Sequence, residues 1–586
     1  MNLRGFFPIK TYRDIRSALP DYGPRAILRL LPLSFLLSVF EIFGLALMLP
    51  LIKIIISPRI ITENRYLAWV YKTIGITDHV LFVLVLLGMV SFFFILKNLT
   101  AFWVMARQAK ISYEIASKLS ENQYDQYLDS SYNFHINSNS TSLLRNIAVI
   151  PFDFVSGVFL PFITVVNELL VIFFIICCIV YYDVLLFLAL IVFLVPVFII
   201  YIRLYRGQLN LISTMRDTGN KAMYRNAMDS IEGYREIRLF GKKDFFKPVF
   251  SGSVNAFNSA IRKLYLITNF SPKIIETVAV CSVFIIFLTA YTLGKDMAAL
   301  GSFLVVFALA TYRLIPSLNR IIQAFNNIKA SYYVFDYFKG FLFGPVTEDR
   351  LESSTGKNKL NFTSRISVRD LGFRFENKDS HFLQDINFEI KKGSTVGIIG
   401  PSGSGKTTLL NILLRLYREQ SGGIYVDDEK LDENNVEAWY RLVSFVPQNI
   451  TLFDGTISDN IAFGVPKNKI DERTLNDAVE RAQLGEFIRE LPQGLNTDIG
   501  DKGLKISGGQ RQRIGIARAL YHGGEILVFD EATSALDHET EKMLTEAINN
   551  ISHQDLTIII VAHRMETLKY CDRIFKIENG KISIQK

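Results

Sequence analysis

The sequence predicts an α-helical membrane domain of six spans over residues 1–345, followed by an α/β domain over residues 346–586. Three observations carry this. Apolar runs of membrane-spanning length crowd the first half, and polar stretches with helical patterning separate some of them. After Gly344 the apolar runs shorten to strand length and alternate with helical segments around a glycine-rich turn. A mean hydropathy of +0.25 over 586 residues fits a chain that is partly in lipid.

The six runs cover about 26–56, 80–105, 152–181, 184–205, 270–293 and 297–316. At about 1.5 Å per residue each can cross a hydrocarbon core of about 30 Å, the sixth near the lower limit. The first begins too late and runs too long for a cleavable signal peptide. Arginine and lysine gather before the first span (Arg4, Lys10, Arg13, Arg16, Arg25, Arg29), after the second (Arg107, Lys110), after the fourth (Arg203, Arg206) and after the sixth (Arg320, Lys329). The opposite connections, 182–183 and 294–296, are short and carry less charge, so both termini are expected in the cytoplasm. The connections 106–151 and 206–269 are long, polar and helical in pattern, which predicts long cytoplasmic helical extensions of spans two to five. In the outer connection 57–79, Leu67, Val70, Tyr71 and Ile74 share a helical face beside Tyr66 and Trp69, as in a short amphipathic interfacial helix.

Half of the residues are hydrophobic and 46 are phenylalanine, which excludes disorder. Four cysteines (Cys177, Cys178, Cys281, Cys571) exclude a disulfide scaffold, and three fall in apolar runs, so they are expected as small buried hydrophobes. A net charge of +8 taken alone fits nucleic acid as a partner, but six apolar spans exclude that class.

In the second domain the strand-like Thr395–Ile399 runs into Gly400-Pro401-Ser402-Gly403-Ser404-Gly405-Lys406-Thr407, and a helical stretch opens at Thr408. This is a P-loop in its strand-to-helix setting. Backbone N–H groups of the loop (Gly400, Ser402, Gly403, Gly405) can curl round phosphates, Lys406 can reach the outer ones, and Thr407 can ligate Mg²⁺. A second apolar strand, Ile526 to Phe529, ends in Asp530-Glu531. We expect Asp530 at a strand end beside the P-loop strand, holding the Mg²⁺ shell, and Glu531 acting on the attacking water.

Ile506-Ser507-Gly508-Gly509-Gln510, Ser534-Ala535-Leu536-Asp537 and His563 after the strand 557–562 complete the set. With them the chain resembles an ATP-binding cassette (ABC) half-transporter of the six-helix exporter type along nearly its whole length. The resemblance implies ATP and Mg²⁺ as cofactors. It makes Glu531 and His563 catalytic and Thr407, Gln448 and Asp530 the metal ligands. It puts Phe375, the P-loop with Thr408, Gln448, Ser507, Gly508, Gly509, Gln510 and Asp537 around the nucleotide. Because the signature Ser507–Gln510 closes over ATP on a second cassette, a homodimer with two composite sites is implied. The resemblance further implies coupling elements near 132–144 and 231–240. Three positions depart from the family pattern: Ile506 for leucine, Phe375 for tyrosine and Asp501 for glutamate. Each keeps its volume, ring face or charge.

Charges within spans ask for a reason, since each costs about 2.5–3.5 kcal/mol on insertion scales. Lys97, Lys273, Glu276, Arg313, Glu41 and Glu168 are such residues. The stretches around Lys97, Lys273 and Arg313 resemble bacterial lipid-linked oligosaccharide flippases, in which basic residues at these places face the translocation cavity. The implied cargo is an amphiphile with a pyrophosphate between tail and glycan, and the implied location is the bacterial inner membrane. Export of peptides, drugs or another lipid stays open, as does an ATP-gated channel or regulator.

Overall fold

The computed structural model describes residues 7–20, 22–56, 69, 71, 78–182, 184–292, 297–342, 360–375, 382–500, 503, 506–531 and 556–586. The chain divides into two compact units, one of 1–128 with 138–347, the other of 129–137 with 348–586.

The first unit is helical. Long helices run Gly23–Ile56, His79–Leu128, Leu160–Tyr182, Val184–Glu232, Lys243–Thr292 and Met297–Ala330, and each predicted apolar run lies largely within one of them. Among the described residues three stretches are long and apolar enough to cross a membrane: Gly23–Gly44, Val80–Leu128 and Ile150–Cys177. The helices His79–Leu128 and Lys243–Thr292 have 50 residues each, about 75 Å at 1.5 Å per residue and far beyond a hydrocarbon core, so they carry the expected extensions. Pro196, Pro272 and Pro316 sit inside helices, as neighbouring helices permit in lipid.

The third apolar run opens as Ile150–Phe154, widens into a π-helical turn at Val155–Phe159 and continues as Leu160–Tyr182. Within that turn a Cβ on Gly157 would stand 2.2 Å from Ser331 Oγ, so glycine is what allows the close approach. An amphipathic N-terminal helix, Phe7–Ala18, turns Ile15 and Ala18 into a core with Leu30, Ile115, Phe154 and Phe338. From the sequence, only the basic residues of this segment stand out.

Two expectations need correcting or bounding. Cys571 is buried, but Cys177 and Cys281 are exposed, because apolar runs in a membrane domain can face lipid rather than protein. The amphipathic segment predicted over 57–79 lies mostly outside the described residues; of it, Tyr71 packs edge-on against Phe82 at 4.9 Å. Asn139, formally a glycosylation sequon, is an N-cap that accepts from Ser142 N–H.

The second unit holds two sheets. The antiparallel one has the order β2-β1-β4-β5, with β1 Arg365–Phe373, β2 Leu383–Lys391, β4 Ser421–Val426 and β5 Glu429–Lys430. The other has the order β10-β9-β3-β8-β7-β6, with β3 Thr395–Ile399, β6 Val443–Val446, β7 Ile526–Asp530, β8 Thr557–Val561, β9 Arg573–Glu578 and β10 Lys581–Ile584. Its β9, β3, β8, β7 and β6 are parallel. In β8, Ile559 and Val561 enter one core while Ile558 and Ile560 enter the other. Burial on both faces is why such strands read as continuous apolar runs.

The order corrects one sequence expectation. β7 is not next to the P-loop strand β3, because β8 lies between them. In a parallel sheet the carboxyl ends align, so Asp530 still reaches the loop's end of the sheet, and His563 arrives there on the intervening strand.

Candidate functional site: the nucleotide site and the charges of the spans

The P-loop leaves β3 and enters the helix Lys406–Leu413 through Gly405, whose φ of +108° puts it in the left-handed region that glycine occupies freely. Lys406 is buried, and its Nζ donates to Gly400 O at 2.9 Å and Pro401 O at 3.1 Å. Burial pulls its pKa down, while Glu531 and Asp530 push the other way. Ser402, Gly403 and Thr407 are exposed and Thr408 is half-buried. Ser404 Oγ is buried without a hydrogen-bond partner among the described residues, an orphan that carries no signal in the sequence.

At the end of β7, Asp530 Oδ1 is likewise buried without a partner among the described residues. Burial, then the neighbouring Glu531 charge, pushes the Asp530 carboxyl up to about 6. Glu531 has a φ of +46°, uncommon for a residue with a side chain, and its N–H donates to Val561 O at 2.9 Å. That turn aims the carboxylate at two partners. Gln448 Nε2 donates to Oε2 at 2.8 Å, and His563 Nε2 stands 2.5 Å from Oε1. Gln448 follows β6 and His563 follows β8, so three strand ends meet on one carboxylate. Such strain persists only where surrounding contacts hold it.

Phe375 lies in an aromatic group with Phe373 (5.0 Å), Phe382 (5.2 Å) and Tyr417 (6.1 Å). Tyr417 also meets Tyr132 at 5.6 Å, on the short helix Tyr132–Asn137 that belongs to this unit. Neither Phe382 nor Tyr417 has a motif of its own, so sequence reasoning passed over both. Ser507 caps the helix Gly508–His522: its hydroxyl accepts from Gln510 N–H, and Gln510 Oε1 accepts from Ser507 N–H. Gly508 and Gly509 form the first turn of that helix, with open space around the Gly508 Cα. Asp537 and Asp501 lie outside the described residues.

Residues 383–534 match the family described as ABC transporter, and residues 31–315 match the ABC transporter transmembrane region. The chain belongs to the ABC transporter family. A protein of Francisella tularensis named ATP-dependent lipid A-core flippase is 34% identical over 383 residues, 63% of this chain and 60% of that protein. The chain thus spans somewhat less than two thirds of that relative's length. One of the same name from Pseudoalteromonas atlantica is 29% identical over 477 residues, 80% of each. The solved structure of a bacterial Atm1-family ABC exporter with ATP bound superposes with a TM-score of 0.71 at 22% identity, covering 96% of this chain and 94% of that one. It shares the exporter fold, a helical transmembrane domain followed by an α/β nucleotide-binding domain.

In the transporter's membrane domain the three basic residues singled out from sequence part company. Lys97 Nζ and an Arg313 guanidinium nitrogen each stand 3.0 Å from Glu41 Oε2, and all three side chains are largely enclosed. Lys273 lies apart, exposed, and pairs with Glu276 one turn along its own helix at 3.0 Å. The reason is geometric: a neighbour on the same helix is within reach of an exposed lysine at no cost in packing. Glu168 is held by Arg320 through two nitrogens, at 2.5 and 3.0 Å.

Proposed function

We propose that the chain is an exporter-type half-transporter that works as a homodimer and uses ATP hydrolysis to flip an anionic amphiphile, a lipid-linked glycan, across a bacterial inner membrane. In this reading residues 1–345 are the membrane domain, 346–586 are the nucleotide-binding domain, and both termini are cytoplasmic. The observation that carries it is the Glu531 carboxylate held by Gln448 and His563 beside the P-loop. The curated relatives named ATP-dependent lipid A-core flippase support the class of cargo.

Glu531 accepts the proton of a water whose oxygen attacks the γ-phosphorus. The bond to the β-phosphate oxygen breaks, and ADP and phosphate leave. Gln448 and His563 keep the carboxylate on the line of attack. Lys406 exchanges its two carbonyl contacts for phosphate oxygens, and Phe375 offers its ring face to the adenine. Ser507, Gly508, Gly509 and Gln510 of a second copy, with Asp537, complete the site, the helix N-terminus of the signature favouring the γ-phosphate charge. The Thr407 hydroxyl, the orphaned Asp530 oxygen and the Gln448 amide oxygen form a hard oxygen set that suits Mg²⁺. Bound there, Mg²⁺ would neutralise phosphate charge. On the membrane side, Lys97 and Arg313 meet the anionic headgroup, and Lys273 contributes from its own exposed position.

The test is ATPase activity of the full chain in proteoliposomes against a panel: a lipid-pyrophosphate glycan, lipid A-core, a hydrophobic peptide and a zwitterionic phospholipid. Stimulation by an anionic lipid-linked glycan alone supports the reading. Stimulation by the peptide or the phospholipid alone overturns the cargo, and no hydrolysis with any of them overturns the pump.

A further inference from the structure

The cluster on Glu41 has an uneven charge count. One carboxylate oxygen serves two cations that arrive on different helices, Lys97 from His79–Leu128 and Arg313 from Met297–Ala330, while Glu41 itself lies on Gly23–Ile56. The group carries one net positive charge in a largely enclosed position. The Arg313 guanidinium is also incompletely satisfied, since its Nε is buried without a hydrogen-bond partner among the described residues. One turn farther along the same helix Ser317 Oγ is in the same condition. Unpartnered polar atoms in an enclosed place are costly, and Arg313 and Ser317, four residues apart on one helix face, leave two of them together for water or ligand to complete. Lys97 is fixed in turn by the Phe94 ring, 4.8 Å beneath its Nζ.

We propose that Glu41 is an internal counter-anion, which occupies the anion site formed by Lys97 and Arg313 and gives it up to a phosphate or pyrophosphate group of the cargo. A single carboxylate shared by two cations neutralises only half their charge. A diphosphate carries more charge and more acceptor oxygens than the carboxylate, so it can take both cations and supply the missing Nε contact. Glu41 then sets selectivity. An uncharged amphiphile has no means of displacing it, while a polyanion does, and its return after release restores the closed cluster. The inference rests on the cargo reading above for its ligand class, and the experiment separates the two.

Binding is measured on the full-length dimer in nanodiscs with three probes: farnesyl pyrophosphate, farnesol with the same tail and no charge, and inorganic pyrophosphate. Glu41→Gln keeps the shape and an acceptor oxygen but removes the competing charge. We expect its apparent affinity for farnesyl pyrophosphate to rise at least about tenfold over the unsubstituted protein, with farnesol unchanged. Glu41→Gln combined with Lys97→Gln brings the net charge of the cluster back to +1 and should return the affinity toward the starting value, which a merely loosened fold would not do. Inorganic pyrophosphate that binds as well as the lipid supports the anion site and assigns recognition to the headgroup alone. Tighter binding in Glu41→Gln with no measurable binding in the unsubstituted protein supports the counter-anion role while rejecting a pyrophosphate lipid as natural cargo. Equal or weaker binding of farnesyl pyrophosphate by a Glu41→Gln protein with an unaltered melting temperature overturns the proposal, and so does equal tightening for farnesol.

Discussion

The two regions of this transporter handle buried charge in opposite ways. In the nucleotide-binding domain, groups from three strand ends converge on Glu531 and leave Asp530 and Ser404 unpartnered among the described residues, so the site keeps unused capacity. In the helical domain, charges mostly cancel in pairs across long sequence separations: Arg145 with Asp217, Arg216 with Asp153, Arg320 with Glu168. Three tyrosines near the end of the last long helix add to this, with Tyr332 donating to Asp14, Tyr333 to Asp153 and Tyr337 to Asp217. At the nucleotide site a buried carboxylate oxygen is left open, whereas in the helical domain each of these carboxylates has its cation, although Arg145 Nε and Arg216 Nε stay without a partner among the described residues. Glu41 belongs to neither kind, because it closes two charges with one.

The sharpest way to break the comparison is at Glu531. Glu531→Gln keeps the contacts to Gln448 and His563 in outline but removes the base we propose, so hydrolysis should fall at least about a hundredfold while nucleotide binding persists. A rate within a few-fold of the unsubstituted protein would take Glu531 out of that role. Lys406→Ala should show the reverse pattern. It removes the charged donor we propose for the phosphates, worth about 1.5–3 kcal/mol, so nucleotide affinity should drop about tenfold to a hundredfold in a direct binding measurement.

The helical domain answers in stability instead. Arg145 is buried between Asp217 and Tyr337, and Arg145→Met strands part of the Asp217 charge, although Lys221 remains 3.0 Å away. The loss should be about 2 kcal/mol, read as a lowered melting temperature of the solubilised protein. Arg489→Ala is the control in the other domain: both partners of its 3.8 Å pair with Glu480 are well exposed, and under about 0.5 kcal/mol should be lost. Equal losses at the two positions would erase the distinction drawn here.

The same contrast explains what could be read without coordinates. Gly400 to Thr407 and Ser507 to Gln510 are legible because consecutive backbone N–H groups at a strand or helix end suit a phosphate, and Asp530-Glu531 because two carboxylates close an apolar strand. Long apolar runs are legible because lipid imposes their length. The partnership of Glu41 with Lys97 and Arg313 was not legible, since it joins positions 56 and 272 residues away and any of several acidic residues had the right chemistry. The place of β8 between β3 and β7 was hidden for a similar reason: strand order is set by crossovers, which leave no local mark. The short N-terminal helix Phe7–Ala18 escaped because its apolar face has few residues and its basic ones read as topology signals.

The smallest effect we expect concerns pH, and it follows from the open valence at Asp530. Burial and the Glu531 charge hold this carboxyl at about 6, above its ordinary range, so it takes up a proton as the pH falls through that value. A protonated Asp530 is a poor ligand for a divalent cation. Between pH 7 and pH 5 the ionised fraction drops from about nine tenths to about one tenth, which raises the Mg²⁺ concentration for half-maximal ATPase activity by roughly tenfold. The measurement is Mg²⁺ titration of ATPase activity at several pH values, with Asp530→Asn as the reference: its weaker Mg²⁺ response should not change with pH in this range. A requirement that stays level in the unsubstituted protein would mean that Asp530 is ionised throughout, and that another group carries the charge attributed to it.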